Sequence, residues 1–470
     1  MPGGITEAGE VNKQQTGGPK MKKFMMVIAL LTLSALVSSS FADVQNIRLS
    51  GDVRIRGYYN TYGGQLPQTS LIAQRTRITC EADLEDHVLV VVTLMAEGIW
   101  GDRGYTHRSA GAGLPTWGEP VNRMWDVGMP EAYVQLNEMF FQAATLKLGR
   151  QYLHYGRGMI ISSVENEYNF DAARLVLDYY PLTVDLVAAL INDNGDNTNG
   201  GQFFPIGDNS PTERSWLLFA NARYEMTDSF IKAVEGYFGW VTQSKDNHAA
   251  RAETGYAPMI MGASPWIVGL RGDLNLTKNL QAWIEGAYEG GADGFASSKN
   301  LSAFLVNAGA QLSLGDSKMA PAIHANYTFA SGGGSVGQNT FRPWFDLAND
   351  YNGYLFKPLL SNMHIFNVGA SIKPAKNCTA GVDVYYYMKS AKNMSVEQNP
   401  NIDLGYGRTS LGATGAGSLG WEVDGKLGYD YSKDVRFGLI AGVFIPGKSL
   451  EAYTDDKISI GVRGEVAVKF

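Results

Sequence analysis

From Asp43 to Phe470 the chain is a succession of segments in which apolar and polar residues alternate, joined in turn by short turns and long loops. The last segment, 457–470, shows the pattern most plainly. Ile458, Ile460, Val462, Gly464, Val466, Val468 and Phe470 share one face; Lys457, Ser459, Gly461, Arg463, Glu465, Ala467 and Lys469 share the other. A period of two with one apolar side is a strand whose faces meet different solvents. Many such strands, with no long apolar run among them, predict an all-β fold: a single transmembrane antiparallel β-barrel, because lipid leaves the edge of an open sheet unsatisfied.

The first forty-two residues are expected to lie outside that fold. Met21-Lys22-Lys23 opens a basic region, Phe24–Val37 is an apolar run, and Ser40-Phe41-Ala42 offers the small residues a signal peptidase needs. The run is shorter than the roughly 20 residues of a spanning helix. Met1–Lys20 reads as an extension ahead of a second start at Met21, so residues 1–42 are an N-terminal extension plus signal peptide and 43–470 the barrel. Taking away the leader's four lysines and two glutamates moves the net charge from −7 to −9. An acidic balance argues against nucleic acid as a partner. Gly (55), Tyr (24) and Trp (9) are plentiful, as suits barrel bends and interface girdles. Cys80 and Cys378 fall on apolar phases and read as small lipid-facing residues, with a disulfide as the lesser alternative.

About eighteen strands are predicted, near 46–60, 71–84, 87–100, 130–138, 143–152, 172–180, 182–191, 214–226, 229–243, 264–276, 279–290, 300–314, 318–330, 361–373, 377–389, 418–430, 433–446 and 457–470. The connections alternate strictly. Turns such as Glu85-Asp86, Tyr180-Pro181 and Ser432-Lys433 are short, whereas 101–129, 153–171, 192–213, 244–263, 331–360 and 390–417 are long polar stretches. Outer-membrane barrels have short periplasmic turns and long outer loops. The aromatic C-terminus resembles the terminal strand that the outer-membrane assembly machinery recognises.

In such a barrel the lumen face carries function. Period two sends Arg48, Asp52, Arg54 and Arg56 inward from the first strand, and Arg75, Arg77, Glu81 and Asp83 from the second. Arg463 and Lys469 follow from the last strand, which closure sets beside the first. Arg174, Arg223 and Arg271 are further inward candidates. A charge facing lipid at the midplane costs about 2–4 kcal/mol, which favours the inward reading. Clustered guanidinium groups bind carboxylates and raise the local concentration of anions in a narrow pore. The plainer alternative is that they pair with lumen acids, of which Glu97, Glu131, Asp178, Asp185, Asp273, Glu285, Glu289, Asp383, Glu422 and Asp424 also lie on inward phases.

The string Leu146-Lys147-Leu148-Gly149-Arg150-Gln151, then His154-Tyr155-Gly156-Arg157-Gly158, then Tyr168-Asn169-Phe170-Asp171-Ala172-Ala173-Arg174 resembles the alginate export family of outer-membrane barrels. Arg48–Tyr59 and Glu131-Ala132-Tyr133-Val134 are similar to that family's flanking strands. The resemblance implies a monomeric eighteen-stranded barrel passing an anionic uronate polysaccharide through an Arg-lined constriction. It carries Arg150, Asp171 and Arg174 over as substrate-binding positions, with Arg48, Arg54 and Arg77 similar in placement. The acid-rich lumen departs from it.

Other chemistry finds less support. The six histidines show no metal-ligand spacing, and no Ser-His-acid set emerges, so no enzyme and no cofactor is expected. Asn192–Asn197 could hold Ca²⁺, though its Asn/Asp/Gly composition is also that of a turn. Trp100, Trp216, Trp240, Trp266 and Trp421 read as girdle residues, whereas Trp117, Trp125 and Trp344 could stack on sugars or pack within the mouth. The expectation is an outer-membrane porin passing an anionic or polyhydroxylated solute, such as alginate or a small anion, by passive diffusion. A general small-nutrient porin and a non-conducting structural or adhesive barrel are the alternatives.

Overall fold

The computed structural model of the chain describes residues 46–61, 69–84, 87–101, 125, 127–163, 169–192, 215–227, 229–243, 264–292, 300–315, 317–333, 338–341, 344–346, 352–393, 415–450 and 457–470. The expected leader at 1–42, the candidate calcium segment from Asp193 to Asn197, and Trp117 lie outside the described residues.

Among the described residues the strands are, in order, β1 (Asn46–Thr61), β2 (Thr69–Asp83), β3 (Val88–Ile99), β4 (Val127–Asn137), β5 (Ala144–Gln151), β6 (Ile161–Ser162), β7 (Phe170–Tyr179), β8 (Leu182–Asn192), β9 (Ser215–Glu225) and β10 (Ile231–Gln243). They continue with β11 (Ser264–Asn275), β12 (Leu280–Ala292), β13 (Asn300–Ser313), β14 (Ala322–Ala330), β15 (Phe345–Asp346), β16 (Met363–Ala375), β17 (Cys378–Lys389), β18 (Ser418–Asp430), β19 (Val435–Pro446) and β20 (Ser459–Lys469). All but β6 and β15 join one eighteen-stranded antiparallel sheet. It closes on itself through β1 and β20, with Val53 opposite Val468 and Gly57 opposite Gly464. Phe470 seals the seam: its carbonyl accepts the Gly51 amide at 2.8 Å and its own amide donates back to Gly51 at 3.0 Å. Among the described residues the barrel sheet has no free edge strand, which is the condition for strands to cross a bilayer.

The outer face carries the apolar phase. Leu49, Ile78, Leu148, Leu186, Leu270, Ile284, Val368 and Leu427 are all exposed, as side chains meant for hydrocarbon are when no lipid is present. Cys80 is exposed and both cysteines are free thiols. Trp216, Trp240 and Trp421 stand on the same surface. Trp125 lies there too, its ring covering the place where a Cβ on Gly98 would stand.

The core sits inside the barrel. The connections after β5 and after β14, expected to be polar outer loops, instead send Leu153, Tyr155, Met159, Ile160 and Ile161, and Phe341, Trp344, Phe345, Tyr354, Leu355 and Phe356 into one buried apolar cluster. The short parallel pair β6–β15 joins the two connections, with Phe345 opposite Ile161. Phe345 meets Phe170 on the wall edge-on at 5.2 Å, and Phe356 stacks on Phe444 at 4.8 Å. These side chains gain what any apolar core gains, removal from water, but gain it in the lumen.

Candidate functional site

Folding two loops into the lumen puts backbone amides where neither lipid nor bulk water can satisfy them, and an unpaired buried N–H is costly. The wall supplies carboxylates for that purpose. Glu422 on β18 accepts the amides of Tyr354 and Leu355 at 2.6 Å each and of Phe356 at 2.8 Å, and Asp424 accepts that of Tyr354 at 3.0 Å. The Tyr387 hydroxyl donates to the Asn352 carbonyl at 2.8 Å beside them. Gly442 and Gly461, opposite each other on β19 and β20, leave the hollow for this loop. A Cβ at either would run into Tyr354 and Leu355.

The first loop is held the same way from the opposite wall. Glu235 accepts the Gly156 amide at 2.9 Å and Glu285 the Arg157 amide at 3.0 Å. Gly156 has φ +59, and a Cβ there would meet the Glu285 carboxylate, so glycine alone fits this approach. Tyr155 donates its hydroxyl to Asp185 at 2.9 Å, and Trp344 its indole N–H to Glu289 at 3.1 Å. The Arg157 guanidinium lies over Trp283, 4.2 Å from the ring centre. Burial pushes the Tyr155 hydroxyl pKa up, and burial, followed by the Arg271 charge, holds His154 below the usual histidine range.

Glu235, Glu285, Glu289, Glu422 and Asp424 are all at most 4% exposed. Much of the acid that set this lumen apart from a simple anion channel therefore sits behind the loops as hydrogen-bond acceptor. It does not line the water path.

The seam wall of β20, β1 and β2 gathers Arg48, Arg54, Arg56, Arg75, Arg77 and Arg463, and it also contains their counter-charges. Asp52 bridges Arg75 at 3.0 Å and Arg77 at 2.5 Å; Arg48 binds Glu81 at 2.9 Å and Asp83 at 3.1 Å; Arg56 pairs with Glu465. Arg54 is buried opposite Arg75. Across the lumen Arg174 pairs with Asp185, and Arg271 binds Asp273 at 2.9 Å with Glu235 at 3.6 Å. Arg463 differs. Among the described residues it meets no carboxylate, and its guanidinium lies 5.5 Å from the Tyr354 ring centre.

Arg150 and Asp171 are elsewhere. They form a fork of two 2.8 Å bonds, but they alternate with Gln151 and Phe170, which are buried in the lumen core, and share the phase of Leu146, Leu148, Ala173 and Leu175. The pair therefore sits on the outer face at the long-loop end of β5 and β7, and its expected place in the lumen is corrected. Period two requires this, since the register from Leu148 to Gln151 is unbroken.

A family model described as alginate export matches residues 49–459. The chain belongs to the alginate export family. Among curated proteins no sequence relative matches it. Solved structures similar to this alginate export barrel include OccAB1 of Acinetobacter baumannii, at 12% identity and TM-score 0.59, covering 92% of this chain and 99% of that one. A BenF-like porin of Pseudomonas fluorescens Pf-5 follows at 10% identity and TM-score 0.57, covering 91% and 99%. Pseudomonas aeruginosa OccK2, solved in complex with glucuronate, matches at 12% identity and TM-score 0.54, again covering 91% and 99%. At these identities the likeness is one of fold: an eighteen-stranded outer-membrane porin barrel. The alginate export barrel is thus an outer-membrane channel for solutes.

Some residues that organise its lumen escaped the sequence reading. Lys147, 4.9 Å from the Tyr133 ring centre, was readable from period two, since it alternates with Leu146 and Leu148. The loop anchors Tyr354, Leu355 and Phe356 show only as a short apolar run inside the long stretch 331–360.

Proposed function

We propose that this barrel passes an anionic, polyhydroxylated solute by passive diffusion, with an acidic polysaccharide of the alginate type as the substrate class. The observation that carries the reading is the arrangement of lumen charge. Arginines line the wall, most of them paired with lumen acids, while Glu235, Glu285, Glu422 and Asp424 are spent as acceptors for loop amides, so the charge left over in the pore is biased toward cation. Membership of the alginate export family supports the same substrate class. The fold-level neighbour solved with glucuronate is compatible with sugar acids as cargo. No catalytic step belongs to this reading.

A small-nutrient porin is the second reading. The apolar cluster that fills part of the lumen favours it, because such a cluster narrows the path toward single solutes. A barrel plugged outright would serve a structural or adhesive role and conduct nothing. Planar-bilayer recording separates the three. Oligouronates several sugars long should block or traverse the open channel while neutral dextrans of equal length do not. Block by monomeric acids alone would favour the small-solute reading, and an absence of conductance steps would leave the plugged barrel.

A further inference from the structure

A cavity of about 370 Å³ opens in the lumen between β14 and β20, among His324, Asp383, Lys426, Arg436, Arg463 and Glu465. Its place is informative. Arg436 binds Asp430 at 3.3 Å beside the short turn between β18 and β19, whereas Arg463 lies beneath Tyr354 of the inserted loop. The cavity therefore runs from the short-turn end, periplasmic in barrels of this kind, up to the underside of the loop.

Its chemistry is mixed and ordered. Asp383, only 7% exposed, accepts from His324 Nε2 at 2.8 Å, from Lys426 Nζ at 3.1 Å and from Asn367 at 3.3 Å, which fixes an ammonium and an imidazole on one wall. Lys426 has three donor hydrogens and Asp383 can engage one of them along that vector. Two strands along the same wall, with Ile440 in register between them, is Arg463, whose fork of donors has only an aromatic ring as partner among the described residues. Glu465 contributes acceptor oxygens next to it while bound to Arg56. One cationic fork, one anchored ammonium and carboxylate oxygens within a few hundred Å³ match a small molecule with one carboxylate and several hydroxyls. Guanidinium binds carboxylate in two-pronged fashion, and carboxylates accept from sugar hydroxyls.

We infer that this cavity is a hexuronate subsite on the short-turn side of the loop constriction, where a uronate residue docks with its carboxylate on Arg463 and Lys426 and its hydroxyls on Asp383 and Glu465. The subsite rests on the anion-channel reading above and adds to it a location, a side of entry and a set of contacts. A chain reaching it from the short-turn end meets this wall before it meets the loops.

The test uses the full barrel in planar bilayers, with sodium glucuronate and glucose as probes added to one side at a time. Variants are Lys426→Gln, Arg463→Gln and the two together, each checked for heat-modifiable migration. The single variants decide the matter should the double one fail to fold. In the wild type, glucuronate should interrupt the current when it enters from the short-turn side, and glucose should not. Each single substitution should weaken that block about fivefold or more, and the pair by tenfold or more. A wild-type channel that is anion-selective and blocked by glucuronate, with block unchanged in the variants, overturns the subsite and leaves the anion-channel reading standing. A wild-type channel that neither prefers anions nor responds to glucuronate overturns both.

Discussion

Glu422 on the barrel wall accepts the backbone amide of Leu355 in the lumen at 2.6 Å. That bond, with its neighbours to Tyr354 and Phe356, fastens a loop that would otherwise extend from the mouth. Replacing Glu422 with alanine leaves the buried amides of Leu355 and Phe356 without acceptors, at about 1–3 kcal/mol each, and leaves the Tyr354 amide to Asp424 alone. The expected result of Glu422→Ala is a barrel that still shows heat-modifiable folding but has a larger and noisier single-channel conductance. Conductance equal to wild type would mean that apolar packing alone holds the loop.

Gly461 supplies a steric route to the same end. A side chain there meets Leu355 and Tyr354 directly, so Gly461→Val should expel the loop without touching any charge. Its conductance should rise as in Glu422→Ala, and its ion selectivity should move toward cations, because Glu422 and Asp424 then meet water.

The seam wall allows charge to be changed in both directions. Asp52 bridges Arg75 and Arg77, so Asp52→Asn removes the carboxylate they share and should strengthen anion preference. Charge reversal at Arg54 and Arg77 together should weaken it. Arg150→Glu on the outer face should leave selectivity unchanged and cost about 1 kcal/mol or less, as exposed ion pairs do. Reversal potentials that moved with Arg150 and not with Arg77 would invert this assignment.

Much of this architecture was legible in residue order. Period two gave the eighteen barrel strands, and the 457–470 segment differs from Ser459–Lys469 only at its ends. The rhythm of short and long connections gave the topology, because hairpin turns on one side of a membrane leave little room for insertion. What stayed hidden was the lumen core. Ile160-Ile161 and Tyr354-Leu355-Phe356 do not alternate, so they carry no strand signal, and a loop's own sequence does not say whether it folds in or out. The purpose of Glu422 and Glu285 was hidden for the same reason, since their partners are backbone amides and amides are the same at every residue. Arg150 and Asp171 show the opposite error. The alternation with Leu146 and Leu148 places Arg150 outside, whereas the motif likeness implies the lumen.

His154 offers a pH test of the first loop. It is held below the ordinary histidine range by burial and then by Arg271, with Glu235 opposing. Neutral His154 is therefore compatible with the packed loop at neutral pH and above, and stability is lost as pH falls through its lowered value. Conductance should be steady from neutral to mildly alkaline pH and become noisy on acidification. His154→Asn should remove most of that acid-induced noise; equal noise in the variant would assign it to another group.

The measurement that bears most directly on the account is the zero-current potential of the wild-type channel across a tenfold KCl gradient. Carboxylates sequestered behind the loops and arginines left along the water path predict a potential of the sign set by chloride. A potential of the sign set by potassium would mean that the lumen acids govern the pore, and the account would be wrong.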